Sequence, residues 1–434
     1  MNMKKICLWI LFIFTLFLTA CGEKNGENKS ASVYYVDSMF GNDENDGSFD
    51  NPIATLDAVN QLPLQAGDQV LFKRGTVYRG QLFPVSGSDF GNIYYGAYGE
   101  GENPVLLGSI GKDELEWIQV EKHIFRVKET IEVDVWNIIL DDNTNFGVKK
   151  WSYEAMEVEG DYYYNSKEKW LYLYCQEDPT ERYDSLECAL TRHIIDESNR
   201  SYVTYENLTL KYGGAHGIGG GNTSHITIRN LEICYIGGGY LYIKEGRPVR
   251  FGNGIEFWSN ASDNLVENCH IYEILDSGVT NQNNTKKAKQ ERISYINNYI
   301  HDCGMASFEF DNAPASGSME DILFVGNVCE NVGLGFGTTQ DRYVNSEENM
   351  GLGHHIIVFY MEVPMKRVVI RNNTFKDAYQ ASGYRSMILF SNMTEEAKEG
   401  LVIEENIYQG KMDYFGILFE NQEISFFDNE EAYQ

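Results

Sequence analysis

The sequence predicts an all-β protein whose second half is a right-handed parallel β-helix, a solenoid of stacked coils, with a short capping helix near its start and a small all-β insertion. Three observations carry this expectation. First, 41 Gly against only 8 Pro, with 29 Tyr among 434 residues, favour strands and tight turns over helices. Second, from about residue 200 one pattern recurs: apolar, x, apolar, x, Asn, x, x, apolar. Its instances are VTYENLTL, ITIRNLEI, LVENCHI, ISYINNYI, ILFVGNVC, VVIRNNTF and LVIEENIY. They put Asn207, Asn230, Asn268, Asn297, Gly326, Asn372 and Glu405 in one column at spacings of 23, 38, 29, 29, 46 and 33 residues. The shortest spacing is close to one coil, and the excesses are loops added to single coils. Third, a second strand follows each first one, usually after a Gly. In three coils the offset between the two is eight residues: Leu210 to Ile218, Ile271 to Val279 and Ile300 to Phe308. The Asn column is expected to be buried, its stacked amides satisfying turn backbone groups.

In chain order, residues 1–20 read as a secretory signal. Lys4 and Lys5 form the positive start, and the apolar run 6–18 is too short to span a bilayer comfortably. Its ending, Leu18-Thr19-Ala20-Cys21, resembles the lipobox of bacterial lipoproteins. That resemblance implies acylation of Cys21, cleavage before it, and a protein held in the cell envelope outside the cytoplasmic membrane by its lipid anchor. Residues 21–32 follow as a flexible tether, and residues 33–109 as a cap and first coils, with a helix near residues 54–62. The segment GNDENDG, residues 41–47, is like a calcium loop only in composition and reads as a plain turn. Over residues 110–192 the repeat disappears and Trp and Tyr accumulate; GDYYYNSKEKWLYLYC reads as a hairpin within the all-β insertion. Residues 193–434 are the main coils. Of the remaining cysteines, Cys175, Cys188, Cys234, Cys269, Cys303 and Cys329 make no CxxC pair, so no zinc site is expected. They read as small core fillers, and a Cys175–Cys188 bridge is compatible with export.

Charge and side-chain patterning limit the function. Thirty-five Lys and Arg against 64 Asp and Glu give a net charge of −29, which repels nucleic acid. Alternation along the second strands points Glu256, Thr280 and Glu309 outward in one column, and Trp258, Gln282 and Asp311 in the next. The first column continues to Phe359, Leu389 and Leu418, the second to Met361, Ser391 and Glu420. Carboxylates, an indole and an amide on one face have the composition of a sugar subsite. The loops 236–253 and 281–291 would wall it. His216 and Asp276 sit at the entry to the same strands, as substrate-orienting groups or as turn caps. His354-His355 face opposite ways in a strand and do not share a metal; His301-Asp302 is a candidate metal or acid/base pair by composition.

The stretches YYVDSMFGNDENDGSFDNPIATLDAVN, LQAGDQVLFKRGTVYRGQL and GNIYYGAYGEGENPVLLGS resemble the opening of carbohydrate-active parallel β-helix proteins of the pectate-lyase-like superfamily. The resemblance covers most of residues 33–425 and implies the fold and a glycan partner, but no catalytic motif of one enzyme family is matched. Three readings follow. A glycoside hydrolase would use Glu256 with Glu309, or Asp311 as the partner of Glu309, and no cofactor. A polysaccharide lyase would need a base or cation among Arg250, Lys244, His216 and Tyr360, with the acidic cluster recast as a Ca²⁺ cage. A non-catalytic glycan-binding surface protein would keep Trp258, Thr280, Gln282 and Arg250 as binding residues. A monomer is expected in each case.

Overall fold

The computed structural model describes residues 31–244, 247–283, 287–312, 317–336, 353–359, 361, 365–379, 384–391, 393, 397, 399–420 and 423–428. The signal segment, Cys21, most of the tether and Tyr360 lie outside the described residues. What is described is nearly all β, dominated by a sheet of 18 strands and another of nine. Apolar alternation explains the arrangement. Ile218, Ile255, Val279, Phe308, Ile356 and Ile388 pair in parallel register, each with its counterpart one repeat later, and all are buried. Leu210, Ile233, Ile271, Ile300, Cys329 and Phe375 do the same in the nine-stranded sheet. Pairing is parallel among the described strands of both sheets except at the end of the larger, where Tyr414–Glu420 and Glu423–Phe427 run antiparallel. One apolar core runs from Val36 to Phe415.

The Asn column keeps its predicted register but not its predicted role. Asn207, Asn230, Asn268, Asn297, Asn372 and Glu405 have φ between +53° and +57°, with Gly326 at +70°, and most are exposed. Each repeat reverses here through a left-handed residue, a conformation Asn and Gly tolerate best. The amide stack lies one residue later, at buried Asn298, Asn327 and Asn373 and half-buried Asn406. The Asn298 backbone N–H donates to Asn327 Oδ1 at 2.9 Å, that of Asn327 to Asn373 Oδ1 at 2.8 Å, and that of Asn373 to Asn406 Oδ1 at 3.0 Å. Each Nδ2 donates to a carbonyl of the preceding repeat, as from Asn327 to Tyr295 O at 3.0 Å.

The N-terminal helix is a single turn, Leu56–Val59, shorter than predicted; Thr55 caps it and Asn60 leaves it to bond Gln81 O and the Phe83 N–H. Asp43 accepts from the Ala54 and Thr55 N–H groups and the Thr55 hydroxyl, so GNDENDG anchors this turn. The inserted segment has its own core around Trp117, Ile138, Tyr162 and Leu173, and the expected hairpin pairs Tyr162 with Leu173. Cys175 and Cys188 are free, buried thiols in that core, so the bridge is not formed.

Glu197 is fully buried, and neither carboxyl oxygen reaches hydrogen-bond geometry with the facing Tyr205 hydroxyl. Burial pushes its carboxyl up to about 8, against the pull of Tyr205 and with the help of Asp196. The unfolded chain ionises this group near 4.5, so its contribution to stability is full below that pH and is lost as pH rises toward 8. Glu197→Gln should therefore melt increasingly above the parent between these limits, with a constant gap beyond them. A gap independent of pH in thermal scans would show that Glu197 is not buried neutral.

Candidate functional site

Four neighbouring strands build the site: Ile218–Arg229, Ile255–Glu267, Ser277–Asn283 and Ala306–Asn312. Gly219, Glu256, Thr280 and Glu309 are register partners, as are Gly221, Trp258, Gln282 and Asp311. Inward neighbours such as Ile255 and Phe257 belong to the core and hold the alternation in place. Beyond Glu309 the columns differ from the sequence reading. They continue through Ile357, Leu389 and Ile417, and through Phe359, Ser391 and Phe419. Phe359 and Met361 were two residues out of register, and Leu418 and Glu420 one. Asn283 is the buried last residue of its strand rather than a loop residue.

The turns entering these strands carry a second column: His193, His216, Asn253 and Ser277. The first three side chains each accept a backbone N–H from the next repeat. His193 Nδ1 accepts from His216 N at 3.2 Å, His216 Nδ1 from Asn253 N at 2.9 Å, and Asn253 Oδ1 from Ser277 N at 3.0 Å. With Nδ1 so engaged, a neutral His216 carries its proton on Nε2, which faces Glu256 Oε2 at 3.2 Å. Asn253 Nδ2 donates to the same oxygen at 3.0 Å. The His193 and His216 rings stack with centroids 4.9 Å apart, directly over Gly219. A Cβ at Gly219 would meet His216 Cδ2 at 2.9 Å and His193 Nδ1 at 3.2 Å, so only glycine lets the rings lie there.

The two glutamates are pushed apart in acidity. Burial acts to raise the Glu256 carboxyl, but His216 above all, with His193 and Asn253, holds it below the usual carboxylate range. Burial pushes Glu309 well above that range, and Asp276 adds to this, as do Asp311 and Glu256; the Ser277 hydroxyl, donating to Oε2 at 2.8 Å, pulls the other way. Burial raises Asp311 to about 6 and lowers His193 to about 4. The two surroundings thus act in opposite senses, favouring the carboxylate at Glu256 and the carboxylic acid at Glu309.

A cleft of about 310 Å³ opens over this array, bounded by His193, Ser198, His216, Phe251, Asn253, Glu256, Trp258, Asp276, Gln282 and the backbone of Gly220 and Gly221. Of the residues predicted from sequence, Glu256, Trp258, Gln282, His216 and Asp276 line it. Glu309 lies beneath, 4% exposed, against Ser277 and Asp276. Thr280 is fully buried between the two glutamates and is closed to substrate; its packed position in the central strand overrides the outward alternation. Arg250 is also buried. It donates to Gly238 O at 2.9 Å, Trp136 O at 3.1 Å and Asn137 Oδ1 at 3.3 Å, fastening its hairpin to the insertion rather than binding substrate. Among the described residues no three His, Cys, Asp or Glu side chains converge on a metal position. His193, Ser198, Phe251, Asn253 and Ser277 escaped the sequence reading. The signal for three of this column was a polar residue before glycine, at His216, Asn253 and Ser277, just ahead of each second strand.

No family model matches the chain, and no curated protein matches it. Among solved structures, one titled a glycoside hydrolase aligns over 87% of this chain and 96% of its own at 9% identity and TM-score 0.53. XylC in complex with xylose aligns over 91% and 73% at 12% identity and TM-score 0.50. An alginate lyase from a Paenibacillus species aligns over 90% and 98% at 10% identity and TM-score 0.42. The first two likenesses are likenesses of fold.

Proposed function

We propose that the chain is a right-handed parallel β-helix that hydrolyses glycosidic bonds in the cleft at Glu256. The observation that carries this reading is the opposed surroundings of two carboxyls two strands apart, Glu256 against His216 and Asn253 and Glu309 buried against Ser277 and Asp276, which favour the ionised form of the first and the protonated form of the second. Glycoside hydrolysis needs that division between an acid for the leaving oxygen and a base or nucleophile. Two steps of about 4.8 Å put the Cα atoms roughly 9–10 Å apart, which leaves room for a water and favours inversion. Glu309 stores the proton. Asp276, its neighbour in the cleft, takes that proton from Glu309 and passes it to the glycosidic oxygen, while Glu256 takes a proton from the attacking water. Trp258 supplies the apolar platform, and Gln282, Ser198 and His193 offer hydrogen bonds to hydroxyls.

Two carboxylates line the cleft, and no Lys or Arg does among the described residues, so the substrate is an uncharged glycan. The same feature disfavours elimination from a uronate. Arg250 is buried elsewhere, and the Lys244 side chain and Tyr360 lie outside the described residues. The titles of the two fold neighbours, a glycoside hydrolase and a xylose complex, support a carbohydrate-active protein in general. Incubation with a panel of neutral plant, host and microbial glycans should release new reducing ends without ultraviolet absorbance. An absorbing unsaturated product would mean elimination, and binding without any product would leave a glycan-binding protein.

We also propose that Cys21 carries the lipid that keeps the protein at the outer face of the cytoplasmic membrane or beyond. Expressed with its own leader, the protein should sediment with membranes and become soluble on Cys21→Ser. Continued sedimentation of that variant would assign retention to another segment.

A further inference from the structure

We propose that Met39, Phe40, Phe49 and Phe90, held out from the first strands of the chain, form a surface that docks on a lipid bilayer beside the anchor; the inference rests on the proposed acylation of Cys21. These side chains are 65% to 91% exposed, and the next most exposed large apolar side chain among the described residues, Val158, is 59%. Single apolar residues are ordinary on a protein surface, but the four extreme cases are gathered within residues 39–90.

The loops that carry them are tied down, and their polarity is inverted. Residues 37–54 cover the free edge of the strand Val33–Val36: Tyr35 N donates to Gly47 O at 2.7 Å and Asp37 N to Ile53 O at 2.8 Å. Polar groups turn inward. Asp37 Oδ1 accepts from the Met39 and Phe40 N–H groups at 3.0 and 3.2 Å, and Asn45 Nδ2 donates to Pro52 O at 2.8 Å. A Cβ at Gly41 would meet Ile53 O at 2.4 Å, so the loop closes on itself too tightly for a side chain there. Met39, Phe40 and Phe49 are left facing water. The Phe49 ring packs edge-on against Tyr35 at 5.1 Å and Tyr98 at 6.2 Å, and the Phe40 ring lies 5.1 Å from Lys73 Nζ, which pairs with Asp37. Lys73 and Tyr98 are register partners, which joins these contacts into one patch.

Phe90 stands in a turn closed by Ser88 N donating to Gly91 O at 3.1 Å and Gly91 N to Ser88 O at 2.9 Å. A Cβ at Gly91 would meet Gly67 Cα at 3.0 Å, and one at Gly67 would meet Ala31 Cβ at 3.6 Å, so this turn lies close to where the chain arrives from Cys21. Cys21 and Val33 are twelve residues apart, a length that spans at most about 40 Å. A lipid on Cys21 therefore keeps this end of the sheet near the bilayer, where water-facing Phe and Met side chains gain burial. Phe and Met carry no polar tip for a sugar hydroxyl, unlike Trp258 in the cleft. Glu44, Asp46, Asp50 and Asp89 are exposed in the same loop and turn and oppose anionic lipid, so the matching headgroups are zwitterionic.

The full chain, processed and carrying its lipid, is reconstituted in vesicles of phosphatidylcholine and phosphatidylethanolamine with an environment-sensitive fluorophore on Phe40→Cys, Phe90→Cys or Leu323→Cys. The native cysteines among the described residues are buried, so the label goes to the introduced thiol. Leu323 is the reference: it is exposed on Ser318–Val325, seven strand pairings from Val33–Val36 in the same sheet. Emission from positions 40 and 90 should shift to the blue and be quenched by brominated acyl chains, and emission from 323 should do neither. Phe40→Asp with Phe49→Asp should remove the quenching at 90 while the protein still sediments with the vesicles. In protein that sediments, quenching at all three positions or at none would leave the anchor and strike the docking surface. A blue shift at 40 without quenching would strike it too, since a second protein would then be the cover. A chain that does not sediment would strike the anchor, and this surface with it.

Discussion

Glu256→Gln and Glu309→Gln should each lower turnover by about 10²- to 10⁴-fold while glycan binding and the melting profile stay close to the parent, since each keeps shape and removes a carboxyl's acid-base capacity. Their pH profiles separate the roles. Glu256 is held below the usual carboxylate range chiefly by the His216 interaction, so the acid limb of the parent lies low, and His216→Gln should move that limb upward. Glu309 is held well above the range by burial and Asp276, so the alkaline limb lies high. Asp276→Asn should cost about as much as Glu309→Gln, and the double variant little more, because both sit on one proton path. Asp311→Asn, two residues along the strand and not in the cleft, should cost under about tenfold. Full activity in either Gln variant, on a glycan the parent cleaves, would remove that glutamate from the mechanism.

The largest structural effect is expected inside the amide stack. Asn327→Leu strips a partner from the Asn298 backbone N–H, from the Asn298 amide, from the Tyr295 carbonyl and from Asn373 Oδ1, all of them buried. Leaving such groups unpaired should cost about 2–4 kcal/mol in denaturant unfolding. The adjacent Asn297→Gly should stay within about 0.5 kcal/mol, because glycine adopts its φ of +54° and the side chain is exposed. Equal losses at the two positions would contradict the division between a turn residue and a buried amide.

That pair also shows how far the sequence could be read. The Asn column, its spacing and the offset to the second strand located the repeats after residue 200, because parallel stacking repeats both turn and core positions from one strand pair to the next. Which of two consecutive asparagines faces the interior was not legible. Both Asn297 and Asn298 are amides, and only the left-handed backbone of the first turns it outward. Glu256, Trp258, Gln282 and Glu309 were found because strand alternation has a strict period of two. Thr280 and Arg250 were misjudged because alternation gives direction and not depth. His193 lies just past the insertion, with no repeat before it to set its register. The slip at Phe359 follows a long loop, across which spacing loses its meaning.

The antiparallel pairing of Tyr414–Glu420 with Glu423–Phe427 bears on what one molecule can do to another. A parallel sheet is open-ended by construction, and its last strand offers unpaired amides and carbonyls to any strand that approaches. Here the chain doubles back and occupies that edge with a strand of opposite direction, which begins at Glu423 and is followed by Asp428. The edge of the larger sheet is thus taken by an antiparallel partner, whereas Ile407–Gln409 ends the nine-stranded sheet with no further strand paired to it among the described residues.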